Sequence, residues 1–504
     1  MHASGGFQTT FKSRVLRRLG SWGSKLSADD VDRILLWTSK IIPNPDIRSQ
    51  VLRLRHAMDF GVTRDILRGF FELAPLQRQR VIENLLVNWG VMGGSLRYQI
   101  LEDEGWFPPA FAVISPTMRC NLHCTGCYAY EYRKDGELTT DEFDNVIRQC
   151  KRLGIYFFTI SGGEPFVRED LFDMFGRHSD AFFQVYTNGT LIDERAADRL
   201  LALGNVTPAI SVEGLGPETD TRRGQGTFDR VMAAMDRLRE RSLLFGISAT
   251  VTRLNHGIVT SDEFVDFYIG KGAKYAWLFQ YIPIGRTPDV SLMSTPEQRV
   301  GLRHRVAELR RTKPLFFGDF WNDGAHVGGC MAGGRLYFHV TSNGNVEPCV
   351  FCHFAAGNVR EKTLHEILTC DFFRAIRYEQ PYSDIKNVYA PCMIIDNPEV
   401  LRRLVKQYQV SPSHAGAETV IEDPAIVEHL DRYAASVHGI TDAQWLREHY
   451  GNPSSEWYRG GQRANRQWAL EREHLEEWAR RRRHARRVES RAKEPSQSVS
   501  RGSS

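Results

Sequence analysis

Phe111-Ala112-Val113-Ile114-Ser115 is followed, after four residues, by Cys120-Asn121-Leu122-His123-Cys124-Thr125-Gly126-Cys127. The first run is apolar and β-branched, which predicts a strand; the second is three thiols spaced CxxxCxxC on the loop that leaves it. Downstream, short apolar runs at 155–161, 182–187, 207–213, 245–252 and 276–282 alternate with stretches of helical periodicity at 141–153, 169–178, 193–203, 228–240 and 262–270. Six strand–helix units predict an α/β fold with a parallel sheet, and right-handed crossovers curl it into a partial (β/α)6 barrel. Ligands of such a sheet collect at the strand C-termini, where the cysteine loop begins.

The chain around this repeat has 504 residues, 42% of them hydrophobic, 11% aromatic and 25% charged, an ordinary globular composition that excludes wholesale disorder. Its longest apolar runs fall far short of the ~20 residues of a transmembrane helix. The N-terminus shows no secretory pattern, so the expected location is the reducing cytoplasm, where cysteines serve as thiols or metal ligands. Residues 1–108 read as an N-terminal helical region, with a helix opening at Ala28-Asp29-Asp30 and stopped by Pro43, and a helical pattern at 77–89. The α/β repeat occupies 109–315. A small Cys-rich region of many Gly, Asn and Pro residues takes 316–410, and 411–504 reads as helical with a basic tail.

Net charge is +4, but the segment 462–504 alone carries 12 Lys/Arg against 6 Asp/Glu. Such a tail is either a solvated, partly helical extension or a contact for anionic lipid or nucleic acid; a specific nucleic-acid partner is not expected. Residues 7–20 alternate Phe11, Val15, Leu16 and Leu19 with Lys12, Arg14, Arg17 and Arg18. That pattern fits an ordinary terminal helix, a disordered end, or a peripheral membrane contact.

The nine cysteines fall at 120, 124, 127 and 150, then at 330, 349, 352, 370 and 392. Three thiolates on one loop can hold three irons of a [4Fe–4S] cube and leave the fourth iron open to a small molecule. The alternative, structural zinc, wants four closed ligands, and no fourth Cys or paired His lies near in sequence.

At this loop the chain resembles the radical S-adenosylmethionine (SAM) superfamily, over residues 111 to about 398. The resemblance implies that SAM chelates the open iron of the cluster at Cys120, Cys124 and Cys127, and that an electron splits SAM to a 5′-deoxyadenosyl radical. Gly162-Gly163-Glu164-Pro165 matches the second family motif: the glycines admit close backbone approach and the carboxylate is expected to pair with the methionine ammonium. Asn188, in Tyr186-Thr187-Asn188-Gly189-Thr190, and Ser211 and Glu213, in Ser211-Val212-Glu213-Gly214, match positions near the SAM ribose and carboxylate. Arg222, in Arg222-Arg223-Gly224-Gln225-Gly226-Thr227-Phe228, is expected to pair with the SAM carboxylate. Gly126 departs from the family, many members of which carry a bulky residue there against adenine; Tyr128 is the candidate replacement.

Cys330, Gly344 and Cys349 follow the opening of the SPASM domain, which carries auxiliary [4Fe–4S] clusters. Cys352 and Cys392 complete four candidate ligands, while the cysteines of a second auxiliary cluster are missing, as in the shortened "twitch" form. Four thiolates also satisfy zinc, which stays open as an alternative. Cys150 and Cys370 lie in helical patterns and read as packing. His339 and His353 read as surface or satisfied core histidines, and Trp321-Asn322-Asp323-Gly324 as either a cavity wall or a turn.

The expectation is therefore a radical SAM oxidoreductase or C–H-modifying enzyme with a peptide or protein substrate and an electron donor such as flavodoxin or ferredoxin. No catalytic side chain is assigned. The alternatives are a lipid or small-molecule substrate, favoured by the basic N-terminal segment and the single auxiliary cluster, or a non-catalytic iron–sulfur or zinc protein. No leader-peptide-binding module is recognisable.

Overall fold

The computed structural model describes residues 61–449 and the helix Arg466–Lys493, with isolated helical positions between 33 and 52. The segment 7–20, the helix start at 28–30, Pro43 and the tail beyond 493 lie outside the described residues.

Strands β1 (Phe111–Ile114), β2 (Phe157–Ile160), β3 (Phe182–Thr187), β4 (Val206–Ser211), β5 (Gly246–Val251) and β6 (Tyr275–Gln280) form consecutive parallel pairs. This is the partial (β/α)6 barrel of the sequence reading. Helices Thr140–Arg152, Asp170–Arg177, Glu194–Leu203, Thr227–Glu240 and Asp262–Gly270 cross between strands, and their ends are written in the sequence. Thr139 and Glu142 make a capping box, Asp193 and Ser261 cap the N-termini of their helices, and Gly204 ends one in the left-handed conformation. Phe143, Val146, Ile147 and Cys150 share one buried helix face against the sheet, so Cys150 is packing, as expected.

The sheet is longer than six strands. β7 (Phe316–Asp319) pairs parallel with β6, so the first residues assigned to the small Cys-rich region continue the barrel. On the other edge β8 (His339–Val340) pairs parallel with β1, and β9 (Asn345–Glu347) follows antiparallel. β10 (Phe354–Ala355) leaves this sheet to pair with β12 (Ser411–Pro412), and β11 (Gly357–Asn358) closes the edge beside β9. The C-terminal cysteine region is thus welded to β1 by backbone hydrogen bonds.

The 77–89 helical pattern is two elements: an α-helix Pro75–Arg80 runs into a π-helix Val81–Gly93. Its amides bind strand and loop backbone: Gln77 donates to Val206 O (2.9 Å), Asn84 to Ala181 O (2.8 Å), Asn88 to Asp180 O (2.7 Å), and the Trp89 indole to Ala110 O. Those acceptors sit at the N-terminal ends of β1, β3 and β4, so these helices cover the end of the barrel opposite the cysteine loop. The basic helix Arg466–Lys493 is anchored at its start by a buried pair between Glu471 and Arg377 (2.9 Å). Among the described residues no helix is long and apolar enough to cross a membrane.

Candidate active site

The inward faces of the strands enclose a cavity of about 250 Å³. Of the expected site residues, Cys120, Cys124, Cys127, Gly162, Gly163, Asn188, Ser211 and Arg222 reach it. Cys120 is exposed and the other two thiols are half-buried. The loop holding them is pinned from two sides. Thr125 N donates to Arg222 O (2.9 Å), and Arg286 donates from its backbone N to Cys127 O (3.0 Å) and from its guanidinium to His123 O (3.1 Å). Leu122 N–H points at Cys120 Sγ (3.4 Å).

The glycine motif does something the sequence did not show. Gly163 N donates to Thr117 O and Glu164 N to Arg119 O, both at 2.9 Å, so the turn after β2 lies directly on the base of the cysteine loop. A Cβ on Gly162 or Gly163 would run into Thr117 O or Arg119 O. Glycine is required here for contact between two loops.

Glu164, expected to pair with the methionine ammonium, has its side chain fully buried and outside the cavity lining. It accepts from Asn188 N (2.7 Å), Thr187 Oγ1 (2.8 Å) and Phe166 N (3.1 Å). Burial pushes the carboxyl up to about 7, against the pull of these donors. Glu164 therefore braces the turn after β3. Asn188 is similarly engaged. Its amide donates to Asn121 Oδ1 (2.8 Å), and its carbonyl accepts from Thr190 N (2.9 Å) and Thr190 Oγ1 (2.7 Å), tying the third strand to the cysteine loop.

Glu213 also stands behind the wall. It is 1% exposed, and its Oε1 takes Arg222 (2.5 Å) and Arg223 (2.5 Å) together, while Oε2 has no partner among the described residues. Arg222 thus reaches the cavity already paired with Glu213, and Arg223, which the sequence reading passed over, stands beside it. Ser211 faces the cavity and meets Ser248 at 3.4 Å. The room beside Gly126 (φ +64°) is filled by Tyr281, whose Cε2 would lie 2.6 Å from an added Cβ. Tyr281, and not Tyr128, occupies that space; the Tyr128 hydroxyl bonds Ser161 (2.7 Å). Only the folded chain brings positions 126 and 281 together.

Across the cavity stand Cys330, Cys349, Cys352 and Cys392, all within one apolar core. Cys349 and Cys352 bracket a turn closed by Cys352 N to Cys349 O (3.0 Å). Phe351 N–H points at Cys349 Sγ (3.4 Å) and Ile394 N–H at Cys392 Sγ (3.3 Å). Burial pushes the thiols of Cys330, Cys349 and Cys392 up to about 12, so a thiolate there needs a cation. Three buried thiols and the half-buried Cys330, with amide donors aimed at Cys349 and Cys392, are a donor set that fits an iron–sulfur cluster, and three cavity-facing thiols beside a glycine turn fit one with an open iron. Among the described residues no three His, Cys, Asp or Glu side chains close around a single metal ion.

Aromatic rings form much of the remaining wall: Phe111, Phe157, Trp277, Phe279, Phe320 and Phe351 line it beside polar side chains such as Gln184 and Gln280. Trp321 packs behind Phe351 at 5.2 Å, and Asn322 turns inward to Asp319 (2.7 Å), so that tetrapeptide is a packed turn. His339 is a satisfied core histidine between Ser115 and Glu347 (2.7 Å each), and His353 bonds His414 (2.8 Å). Cys370 caps a short helix, half-buried among apolar residues.

Comparison with known proteins agrees with this geometry. Residues 114–247 match the family model of the radical SAM superfamily, and residues 330–393 match that of SPASM, an iron–sulfur cluster-binding domain. An AdoMet-dependent heme synthase of Methanosarcina barkeri is 30% identical over 294 residues, 52% of this chain and 82% of the relative. The mycofactocin maturase MftC of Mycobacterium tuberculosis is 33% identical over 261 residues, 48% of this chain and 66% of the relative. In fold, the crystal structure of Streptococcus suis SuiB bound to precursor peptide SuiA superposes with a TM-score of 0.51 at 18% identity, over 66% of this chain and 80% of that one.

Proposed function

The chain belongs to the radical SAM superfamily and carries a SPASM domain, and from that premise we propose that it abstracts hydrogen from a C–H bond of a peptide or protein. When bound, a reduced [4Fe–4S] cluster would supply the one-electron reduction of SAM that this chemistry needs. Cys120, Cys124 and Cys127 would hold that cluster, with Cys120, the exposed thiol, nearest an electron carrier of the flavodoxin or ferredoxin type. Gly162 and Gly163 offer backbone to the SAM amine, and Arg222 with Arg223 faces its carboxylate, held in place by Glu213. Ser211 is left for a ribose hydroxyl. Cys330, Cys349, Cys352 and Cys392 would hold the auxiliary cluster.

The observation that carries the substrate class is the wall of the cavity. Among the described residues lining it, the only cations are Arg222 and Arg223, and ten aromatic side chains share the wall with uncharged polar groups such as Gln184, Ser248 and Gln280. A haem precursor brings several carboxylates, and the wall offers no cation beyond the two assigned to SAM. An uncharged or aromatic side chain of a peptide needs no cation and gains by ring contact. MftC is named a maturase, and SuiB was crystallised with a precursor peptide, which supports the same reading.

The test is anaerobic turnover with SAM and deuterated host extract, fractionated by size and polarity. Deuterium should enter 5′-deoxyadenosine from a peptide or protein fraction. Label arising solely from a tetrapyrrole, lipid or other small-molecule fraction would overturn the substrate class while leaving SAM cleavage intact.

A further inference from the structure

Tyr337 belongs to two places at once. Its ring forms part of the cavity wall, stacked on Phe111 with centroids 5.2 Å apart and planes 15° from parallel, and edge-on to Phe320 at 5.8 Å. Its hydroxyl lies 2.9 Å from Cys349 Sγ. The residue is fully buried, and a phenol hydroxyl can donate as well as accept. A metal-bound Cys349 is a thiolate and only accepts; the phenol therefore donates.

The geometry points to Tyr337 as the positioning residue that sets the reduction potential of the auxiliary cluster through Cys349, from within the wall that substrate touches. This rests on Cys349 being a cluster ligand. Reduction adds negative charge to the cluster sulfurs, and a donor aimed at one of them favours the reduced state, so it raises the potential. The Phe351 N–H on the same sulfur and the Ile394 N–H on Cys392 are backbone donors and cannot respond to the cavity. Tyr337 is a side chain, held at one end by Phe111 and at the other by sulfur.

The experiment is anaerobic potentiometric titration of the reconstituted full chain, followed by electron spin resonance, for the unmodified protein, Tyr337→Phe and Cys349→Ala. The component lost in Cys349→Ala identifies the auxiliary cluster. Tyr337→Phe keeps the stacked ring and the iron content and removes only the donor. At a fixed potential its reduced-to-oxidised ratio should fall about tenfold, a negative shift of about 59 mV for one electron, while the SAM-binding component stays in place. An unmoved auxiliary midpoint, a shift confined to the other cluster, or loss of the auxiliary iron in Tyr337→Phe would overturn the assignment. About four irons in the unmodified protein would instead overturn the ligand reading on which it rests.

Discussion

Replacing Glu164 separates a carboxylate that touches SAM from one that braces the loop beside it. In the structure all three groups facing it are donors of this chain: Asn188 N on Oε2, and Thr187 Oγ1 with Phe166 N on Oε1. Glu164→Gln preserves the volume and one carbonyl oxygen, which still accepts from Thr187 and Phe166. Its NH2 group then meets the Asn188 N–H, and one buried donor is stranded at a cost of about 1–3 kcal/mol. Glu164→Ala strands both backbone N–H groups, about 2–6 kcal/mol, a large part of the roughly 5–15 kcal/mol that keeps a domain folded. Anaerobic chemical denaturation followed by tryptophan fluorescence should therefore rank the unmodified protein above Gln and Gln above Ala. SAM affinity, read by equilibrium dialysis, should fall in the same order. A Glu164→Gln protein with unmodified stability and no SAM binding would refute the bracing role and return the carboxylate to the SAM ammonium.

The same residue gives a pH signature. Its folded-state pKa, about 7, lies above the ordinary 4.5, so folding disfavours the charged form. Its contribution is complete below pH ~4.5 and is lost as pH rises through 7, by roughly 3 kcal/mol at most; comparison of Glu164→Gln with the parent across that window should show the flatter profile, and identical profiles would refute it. Glu213→Ala leaves Arg222 and Arg223 without their buried partner and should cost about 3–5 kcal/mol, visible as a lowered melting temperature; an unchanged melt would show the pairs to be weak. Gly126→Ala should destabilise the cysteine loop, through its left-handed φ and through Tyr281. Adding Tyr281→Ala should restore only part of the loss, and full rescue would mean that the dihedral carries no strain. Iron analysis should give about eight irons per chain and about four for Cys349→Ala; about four irons with one zinc in the unmodified protein would make the C-terminal thiols a zinc site.

The elements that sequence periodicity located are those with long, strongly patterned runs. The five crossover helices and six strands lie within a few residues of their expected bounds because each buries one face, and burial is what the pattern encodes. β7 escaped because Phe316-Phe317-Gly318-Asp319 is short, with a glycine and an acid in half its length. β8 and β9 are two and three residues long and are strands only by virtue of β1. The shift from α to π at Val81 leaves the apolar content unchanged, so no pattern announces it. At the site, the cysteines and glycines were legible because their chemistry is rare and their spacing local. The side chains of Glu164, Asn188 and Glu213 were legible as residue types but not as roles. Their partners, Thr187, Asn121 and Arg223 among them, are set by which loops the barrel brings together. Tyr281 and Tyr337 had no motif at all; each matters through a neighbour that is distant or that only folding places within reach.

The pairing of β8 with β1 has a consequence for any attempt to study the barrel alone. Val113↔His339 and Ile114↔Val340 are the partners on the outer side of the strand that launches the cysteine loop. Cutting the chain ahead of residue 330 would strip them away and turn β1 into a bare margin of unpaired amides and carbonyls beside exposed apolar side chains, a surface that recruits other chains. Aggregation of a truncated fragment would thus reflect an uncovered strand and would say nothing about whether the C-terminal thiols take part in the chemistry.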